Sequence, residues 1–132
     1  MALLNLLVPW QIVLPFKLFI LSACAFVATI LLGESVLRFI RSKTTVNPLR
    51  PEKASSLVVA GVFRLSRNPM YLGMLLLLCS VAIYLDNPAN IILIAGYVLA
   101  MNELQIKPEE QALQRLFGED YITYCSRVRR WI

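Results

Sequence analysis

Apolar residues in this chain fall into long uninterrupted runs, not into the short alternating stretches of a half-buried sheet. The first complete run lies inside residues 16–40 and has Lys17 and Arg38 near its ends. A bilayer requires about 20 predominantly apolar helical residues, and long basic side chains at the ends reach the headgroups. The pattern therefore predicts a transmembrane span over 16–40.

Two further apolar runs cover 70–85 and 89–106, and Asp86-Asn87-Pro88 separates them. Asp, Asn and Pro are typical of tight turns. The pattern predicts a transmembrane hairpin over 70–106. Together with the span over 16–40, the two helices of this hairpin give three predicted full transmembrane helices.

The first 15 residues are uncharged but contain Pro9 and Pro15, and they are short for a span. No basic segment precedes them, which argues against a signal peptide. We interpret 1–15 as a short hydrophobic segment that lies at the interface or is the remnant of a span.

Two polar regions flank the hairpin. Residues 41–69 form a basic loop, and 107–132 form an amphipathic tail whose apolar residues recur at helical spacing. Gly118 is expected to break this tail into two helices. The expected apolar positions of the tail are Leu113, Leu116, Phe117, Tyr121, Tyr124, Cys125 and Val128.

Composition supports a single membrane domain over 1–132. Hydrophobic residues make up 58% of the chain and charged residues only 16%, which is unusual for a soluble domain of this length. The predicted fold class is all-α integral membrane, with a C-terminal amphipathic cytosolic helical tail. The chain has no His, and its three Cys are widely spaced. His-based catalysis is excluded, and neither a metal site nor a disulfide framework is predicted.

The basic residues predict the orientation of the chain. Twelve of the thirteen Lys and Arg residues lie in 38–67 or 107–130, on either side of the hairpin. A hairpin places both regions on one side, and the positive-inside rule makes that side cytoplasmic. The net charge of +5 is thus assigned to membrane lipids and not to nucleic acid. The predicted location is therefore an integral membrane position in which 41–69 and 107–132 face the cytoplasm.

One polar cluster is Arg64-Leu-Ser-Arg-Asn-Pro-Met-Tyr-Leu-Gly73. Asn68 suits a helix N-cap and Pro69 the first helical position, so the cluster can be an ordinary helix start. A helix N-terminus beside arginines also attracts an anion such as a carboxylate. Gly73 would let a flat ligand or another backbone come close.

A second polar cluster includes Glu103, Glu109 and Glu110. Adjacent glutamates after Pro108 are ordinary first-turn residues that complement the helix dipole. At the open end of the hairpin they would also place carboxylates beside the arginine cluster. Such a site fits a zwitterionic or mixed-charge ligand.

The motifs together resemble the isoprenylcysteine carboxyl methyltransferase family, and in particular its small bacterial members, often called phospholipid-methyltransferase-like. The resemblance covers about residues 40–132. It rests on Thr44-Thr-Val-Asn-Pro48, Arg64 to Gly73, Pro108-Glu-Glu110 and Phe117-Gly-Glu-Asp-Tyr-Ile-Thr-Tyr-Cys-Ser-Arg-Val-Arg-Arg-Trp131.

The resemblance implies a membrane enzyme that uses S-adenosyl-L-methionine to methylate a lipophilic small molecule or lipid. An acceptor that is a carboxylate or thiol is favoured over an amine, because an amine must first lose a proton. No catalytic residue is assigned, and the oligomeric state stays open. By motif, the implied cofactor-binding residues are Arg67, Asn68, Pro69, Tyr71, Leu72, Gly73, Glu109, Glu110, Tyr121 and Tyr124.

Two other functions fit the architecture. An NADPH-dependent membrane reductase of the sterol-reductase type has a related Arg-His-Pro-x-Tyr box, but this chain has Asn68 in place of His and no further basic cluster for the extra phosphate. A non-catalytic membrane subunit or pseudoenzyme is the third reading. A purely structural bundle gives little reason to retain Glu103, Glu109 and Glu110 near apolar spans.

Overall fold

The computed structural model describes residues 10–43, 54–85 and 89–132, and the described chain is all-α. The expected turn at Asp86-Asn87-Pro88 and the motif segment Thr44–Pro48 lie outside these residues. The helices are α1 (Trp10–Arg41), a 3₁₀ turn (Gly61–Arg64), α2 (Pro69–Leu85), α3 (Asn90–Ala100), a π-helical segment (Met101–Ile106) and α4 (Lys107–Arg127).

Helix α1 begins at Trp10, six residues before the predicted start at residue 16. Pro15 lies inside the helix and not ahead of it. Proline has no backbone N–H, so it removes one backbone hydrogen bond from the second turn of α1, and the helix nevertheless continues through it. Within the described chain, the Pro15–Arg41 part of α1 is the one helix that is long and apolar enough by itself to cross a bilayer.

Helices α1 and α2 pack against each other through small residues. Ala28 of α1 is fully buried, and Gly73 of α2 lies against it. A Cβ atom added at Gly73 would lie 3.0 Å from Leu32 Cγ and 3.2 Å from the Ala28 carbonyl oxygen. The sequence predicted that Gly73 would let either a flat ligand or another backbone come close, and the structure shows the backbone of α1 there.

Helices α3 and α4 join through the π-helical segment without leaving helical backbone angles. The Lys107 N–H donates to the Asn102 carbonyl, five residues earlier, which defines the wider π turn. The predicted change from hairpin to tail at 106/107 thus falls within continuous helix. Pro108, predicted to start the tail helix, is the second residue of α4 and directly follows this π turn.

Helix α4 bends at Gly118, which confirms the predicted break. Gly118 has φ 51° and ψ −123°, a backbone conformation that is accessible mainly to glycine. Beyond the bend, Tyr121, Tyr124 and Val128 form a buried cluster. Leu113, Phe117 and Cys125 pack against it as predicted. Leu116, another apolar position of the tail pattern, has a side chain that is 45% exposed and is not part of this cluster.

The segment before α2 folds onto this cluster. Val58 and Phe63 are buried, and the Tyr124 hydroxyl donates to the Phe63 carbonyl oxygen at 2.6 Å. Leu57 packs against the tyrosine cluster, and Phe63 meets Phe39 of α1 edge to face at 5.3 Å. Leu57, Val58 and Phe63 thus bring apolar side chains of the otherwise polar 41–69 region into the interior of the protein.

Candidate functional site

A cavity lies where the start of α2, the segment before it and α4 meet. Its polar side contains eight of the ten residues implied by the family resemblance, namely Arg67, Asn68, Pro69, Tyr71, Glu109, Glu110, Tyr121 and Tyr124. Its apolar side includes Phe39, Leu57, Val58, Phe63, Met70 and Leu113. Leu72 and Gly73 do not line it. Gly73 faces α1, and Leu72 is half-buried in α2.

Asn68 stands at the N-cap position of α2, as predicted, and Pro69 is the first helical residue. The Leu72 N–H donates to the Asn68 carbonyl at 3.0 Å, which starts the helix. The Asn68 side chain reaches across the site, and its amide Nδ2 donates to the Arg130 carbonyl at 3.0 Å. Asn68 therefore joins the start of α2 to the chain beyond α4.

Arg67 is the cation that lies deepest in the cavity. Its Nη1 contacts Cys125 Sγ at 2.6 Å and Glu110 Oε1 at 3.3 Å, and its backbone N–H donates to the Arg129 carbonyl. Its Nε is buried and has no hydrogen-bond partner. A buried charged donor without an acceptor is costly, so a ligand acceptor placed there would be favoured.

Glu110 is held between two arginines. Arg130 Nε and Nη2 donate to Glu110 Oε1 and Oε2 at 3.0 and 2.7 Å, a bidentate pair, while Arg67 approaches Oε1. Bidentate arginine–carboxylate pairs are among the stronger and most directional protein contacts. Hydrogen bonding to Glu110 also raises the pKa of Arg130. The charge of Glu110 is thus already balanced within the protein.

Glu109 has a different environment. Its Oε2 accepts a hydrogen bond from the Tyr71 hydroxyl at 3.0 Å. Burial raises the pKa of Glu109, the hydrogen bond from Tyr71 lowers it, and the neighbouring Glu110 charge raises it, with a net increase. A carboxyl group whose pKa is raised in a cavity can meet a cationic ligand or accept a proton.

Tyr121 and Tyr124 close the cavity from the bent end of α4. Their side chains are only 4% and 8% exposed, and their ring centroids lie 6.3 Å apart. Burial raises the pKa of both phenols, so both stay neutral at physiological pH. They supply aromatic surface and hydroxyl groups, not charge.

Four further residues complete the site and were not predicted from the sequence: Ser66, Cys125, Arg130 and Trp131. The Ser66 hydroxyl donates to the Arg130 carbonyl at 3.3 Å and accepts from the Asn68 N–H at 3.0 Å. Trp131 Nε1 donates to Asn102 Oδ1 in the π-helical segment. For Arg130 and Trp131, the available sequence signal was the Val-Arg-Arg-Trp run of the tail motif. The residues that this run contacts lie 20 to 64 positions away in the chain, so the motif alone did not indicate them.

The arrangement combines one unsatisfied cationic donor, one protonatable carboxyl and an apolar wall. Among the described residues, no group of three or more His, Cys, Asp or Glu side chains could hold a metal ion. The charged groups and the apolar wall would suit an organic ligand that carries both charges and an apolar part.

Comparison with known proteins identifies the family. The sequence profile described as phospholipid methyltransferase matches residues 18–120, which is more than half of the chain. The chain belongs to the phospholipid methyltransferase family. Within this family the matched region includes α2, the π-helical segment and most of α4, so it covers Arg67, Glu109 and Glu110 but ends before Tyr121.

Individual relatives extend the comparison. Protein-S-isoprenylcysteine O-methyltransferase B of Arabidopsis thaliana is 33% identical over 104 residues, 75% of this chain and 53% of the plant protein. Protein-S-isoprenylcysteine O-methyltransferase A of the same plant is 33% identical over 88 residues, 67% of this chain and 45% of that protein. An uncharacterized protein of Haemophilus influenzae is 36% identical over 63 residues, 48% of this chain and all of the bacterial protein.

The chain spans about half the length of the plant enzymes it matches. No solved structure is significantly similar to it. The similarity to isoprenylcysteine O-methyltransferases predicted from the motifs is confirmed at the level of the family.

Proposed function

We propose that this chain, as a single domain over 1–132, transfers a methyl group from S-adenosyl-L-methionine to a lipophilic acceptor at the membrane. The observation that carries the proposal is the unsatisfied, buried Nε of Arg67 in a cavity that also contains the Glu109 carboxyl. Membership of a methyltransferase family supports the reaction type.

The residues present fit this cofactor. It has a carboxylate, an ammonium and a sulfonium, and the cavity offers an arginine donor and a carboxyl within one cleft. Charge-assisted hydrogen bonds of this kind are stronger than neutral ones. Tyr121, Tyr124 and the apolar wall supply the surface that the uncharged part of such a ligand requires.

We assign cofactor binding to the eight cavity residues: Arg67, Asn68, Pro69, Tyr71, Glu109, Glu110, Tyr121 and Tyr124. Leu72 and Gly73 support the wall from the α2 side that packs on α1. When bound, S-adenosyl-L-methionine supplies a methyl group on a good leaving group. The protein then has to orient the two reactants and exclude water, and neither task requires a metal or a covalent intermediate.

The acceptor is proposed to be an apolar molecule with a carboxylate or a thiol. Phe39, Val58, Met70 and their neighbours give the cavity an apolar side suited to such a molecule. An ionised carboxylate needs no general base. The plant relatives are named as O-methyltransferases, and methylation on oxygen supports the carboxylate and not the thiol.

We further propose that α1, α2 and the helix formed by α3 and the π-helical segment are three membrane spans. Apolar side chains that are more than 60% exposed on α3, including Ile91, Ile92 and Leu93, suit contact with lipid. The chain would lie in a bacterial inner membrane, with 41–69 and 107–132 in the cytoplasm. Its partners are membrane lipids and the lipophilic acceptor, and not nucleic acid.

Thiol labelling tests the orientation. In a background without native cysteines, Asn87→Cys should react with an impermeant maleimide in intact cells, and Ser55→Cys should react only after the membrane is opened. The reverse pattern would overturn the proposed topology.

Ligand-induced thermal stabilisation tests the function. The purified protein in detergent should melt at a higher temperature with S-adenosyl-L-methionine, since a ligand that binds only the folded state stabilises it. NADPH should have no effect. Stabilisation by NADPH alone would favour a reductase, and no response to either compound would favour a non-catalytic subunit.

A further inference from the structure

We propose that Arg130 is a positioning residue of this site, which acts on the ligand through Glu110 and Arg67 without touching it. The inference rests on the proposed function and adds a residue that the family motif does not assign. It arises from the three linked side chains and from the contacts of the segment Arg129–Trp131, the closing segment.

The side chains of Arg67, Glu110 and Arg130 form a linked triad. Arg130 binds both Glu110 oxygens, at 3.0 and 2.7 Å, while Arg67 approaches one of them at 3.3 Å. Arg130 therefore makes the tighter, bidentate contact with the carboxylate. Two cations share one anion, so the triad keeps a net charge of +1.

The backbone of the closing segment holds the other side of the site. The Arg129 carbonyl accepts from the Arg67 N–H at 3.0 Å, and the Arg130 carbonyl accepts from the Asn68 side chain at 3.0 Å. Trp131 donates to Asn102 at 3.1 Å. The closing segment, which carries the Arg130 side chain, is thus held between the start of α2 and the π-helical segment.

This geometry gives the Arg130 side chain a specific electrostatic task. If it were removed, Glu110 would be left to Arg67 alone and would neutralise it. Arg67 would then attract an anionic ligand group less strongly, although it would still be present in the cavity. Arg130 thus keeps Arg67 available for a ligand by occupying the carboxylate that would otherwise compete.

The experiment measures the affinity for S-adenosylhomocysteine by calorimetry in detergent. Arg130→Gln should weaken binding about tenfold. The matched control Arg115→Gln removes the same charge from an exposed position of α4 and should change affinity less than about twofold. Arg130→Lys keeps the positive charge but cannot make the bidentate contact with Glu110. Its affinity should lie between those of Arg130→Gln and the wild type.

A double-mutant cycle tests whether Arg130 acts through Glu110. In a Glu110→Gln background, Arg130→Gln should have less than about a twofold further effect on affinity, because the competing carboxylate is already gone. A purely structural role would lower the melting temperature and leave affinity unchanged in both backgrounds, which would overturn the inference.

Failure of the inference and failure of the proposed function give different results. If the wild-type protein does not bind S-adenosylhomocysteine, the proposed cofactor site is wrong. If the wild-type protein binds and Arg130→Gln binds equally well, the site stands and the positioning role is wrong. Should Arg130→Gln not fold, the same comparison is made with Arg130→Lys, and equal affinity there also overturns the role.

Discussion

The contact between α1 and α2 and the cavity at the start of α2 adjoin each other but are held together in different ways. Along the helix contact, Ala28, Leu31 and Gly73 pack by shape, and the buried Ser35 hydroxyl bonds to a carbonyl of its own helix. In the cavity, side-chain hydrogen bonds join residues from distant parts of the chain, such as Tyr71 to Glu109 or Asn68 to Arg130.

The two regions therefore place different requirements on the sequence. The helix contact requires small side chains at the points of closest approach, and many apolar residues satisfy its remaining positions. The cavity requires particular donors and acceptors, because a buried group without its partner costs free energy. Substitutions in the helix contact should therefore change stability, and those in the cavity should also change ligand binding.

The largest effect is expected at Arg67. Arg67→Ala removes the unsatisfied Nε donor and should weaken S-adenosylhomocysteine binding by about 1.5–3 kcal/mol, or roughly 10- to 100-fold. Glu110 keeps its bidentate partner Arg130, so the variant should still fold. Calorimetry gives the affinity, and Arg115→Ala is the control. A folded Arg67→Ala protein with wild-type affinity would remove Arg67 from the site.

The next effect concerns the helix contact alone. Gly73→Val places a branched side chain where Leu32 and the Ala28 carbonyl already lie within 3.0–3.2 Å of an added Cβ. Overpacking of this kind should lower the free energy of unfolding by about 1–3 kcal/mol. Gly33→Val is the control, since no atom lies within 4 Å of an added Cβ there. Equal melting temperatures for the two variants would contradict the role given to Gly73.

Substitutions of Asn68 test whether its side chain stabilises the protein as a helix cap or through its hydrogen bond to the Arg130 carbonyl. Asn68→Ala should lower the free energy of unfolding by about 1 kcal/mol, because the bond to the Arg130 carbonyl is lost. Asn68→Asp retains a good N-cap but not the amide donor, so it should be no more stable than Asn68→Ala. Full stability of Asn68→Asp in thermal melts would show that capping is the main contribution.

The smallest effect is a pH dependence at Glu109. Burial raises its pKa above the ordinary value of 4.5, so the folded state favours the protonated form. Its contribution to stability is full below that value and is lost as the pH rises through the folded-state pKa. Glu109→Gln cannot ionise, so its melting temperature should rise relative to wild type as the pH increases above 4.5.

Exposed Glu119→Gln serves as the control for this titration and should show no such trend. A constant difference between Glu109→Gln and the wild type across the pH range would mean that Glu109 is not buried as the cavity requires.

The sequence predicted the helix boundaries and bends that are determined by single residues at those positions. Pro69 fixes the first residue of α2, and Gly118 bends α4 where only glycine readily adopts the backbone angles. The motif residues from Arg67 to Tyr124 do meet in one cavity, apart from Leu72 and Gly73. Their assignment to a cofactor stays a prediction.

Features that depend on distant partners could not be predicted. Nothing adjacent to Arg130 in the sequence indicates that its side chain meets Glu110 and its carbonyl meets Asn68. Whether Glu109 or Glu110 is the one available to a ligand likewise depends on which carboxylate is already bound by an arginine of the protein. The helical conformation of 10–15 was not predicted, because Pro15 is the sixth residue of α1 and lies beyond the first turn, the part of a helix that usually tolerates proline.

The π-helical segment over 101–106 determines which side of the helix Glu109 and Glu110 face. A π turn accommodates one more residue than an α turn, so the segment takes up an extra residue without changing the direction of the helix face that follows. Deleting one residue from this segment would therefore restore a regular α-helix and leave both glutamates facing the start of α2. The same deletion in α3 would rotate them by about 100°. Outside Asn102 and the fully buried Ile106, a one-residue deletion should disturb the cavity less within the π-helical segment than in α3.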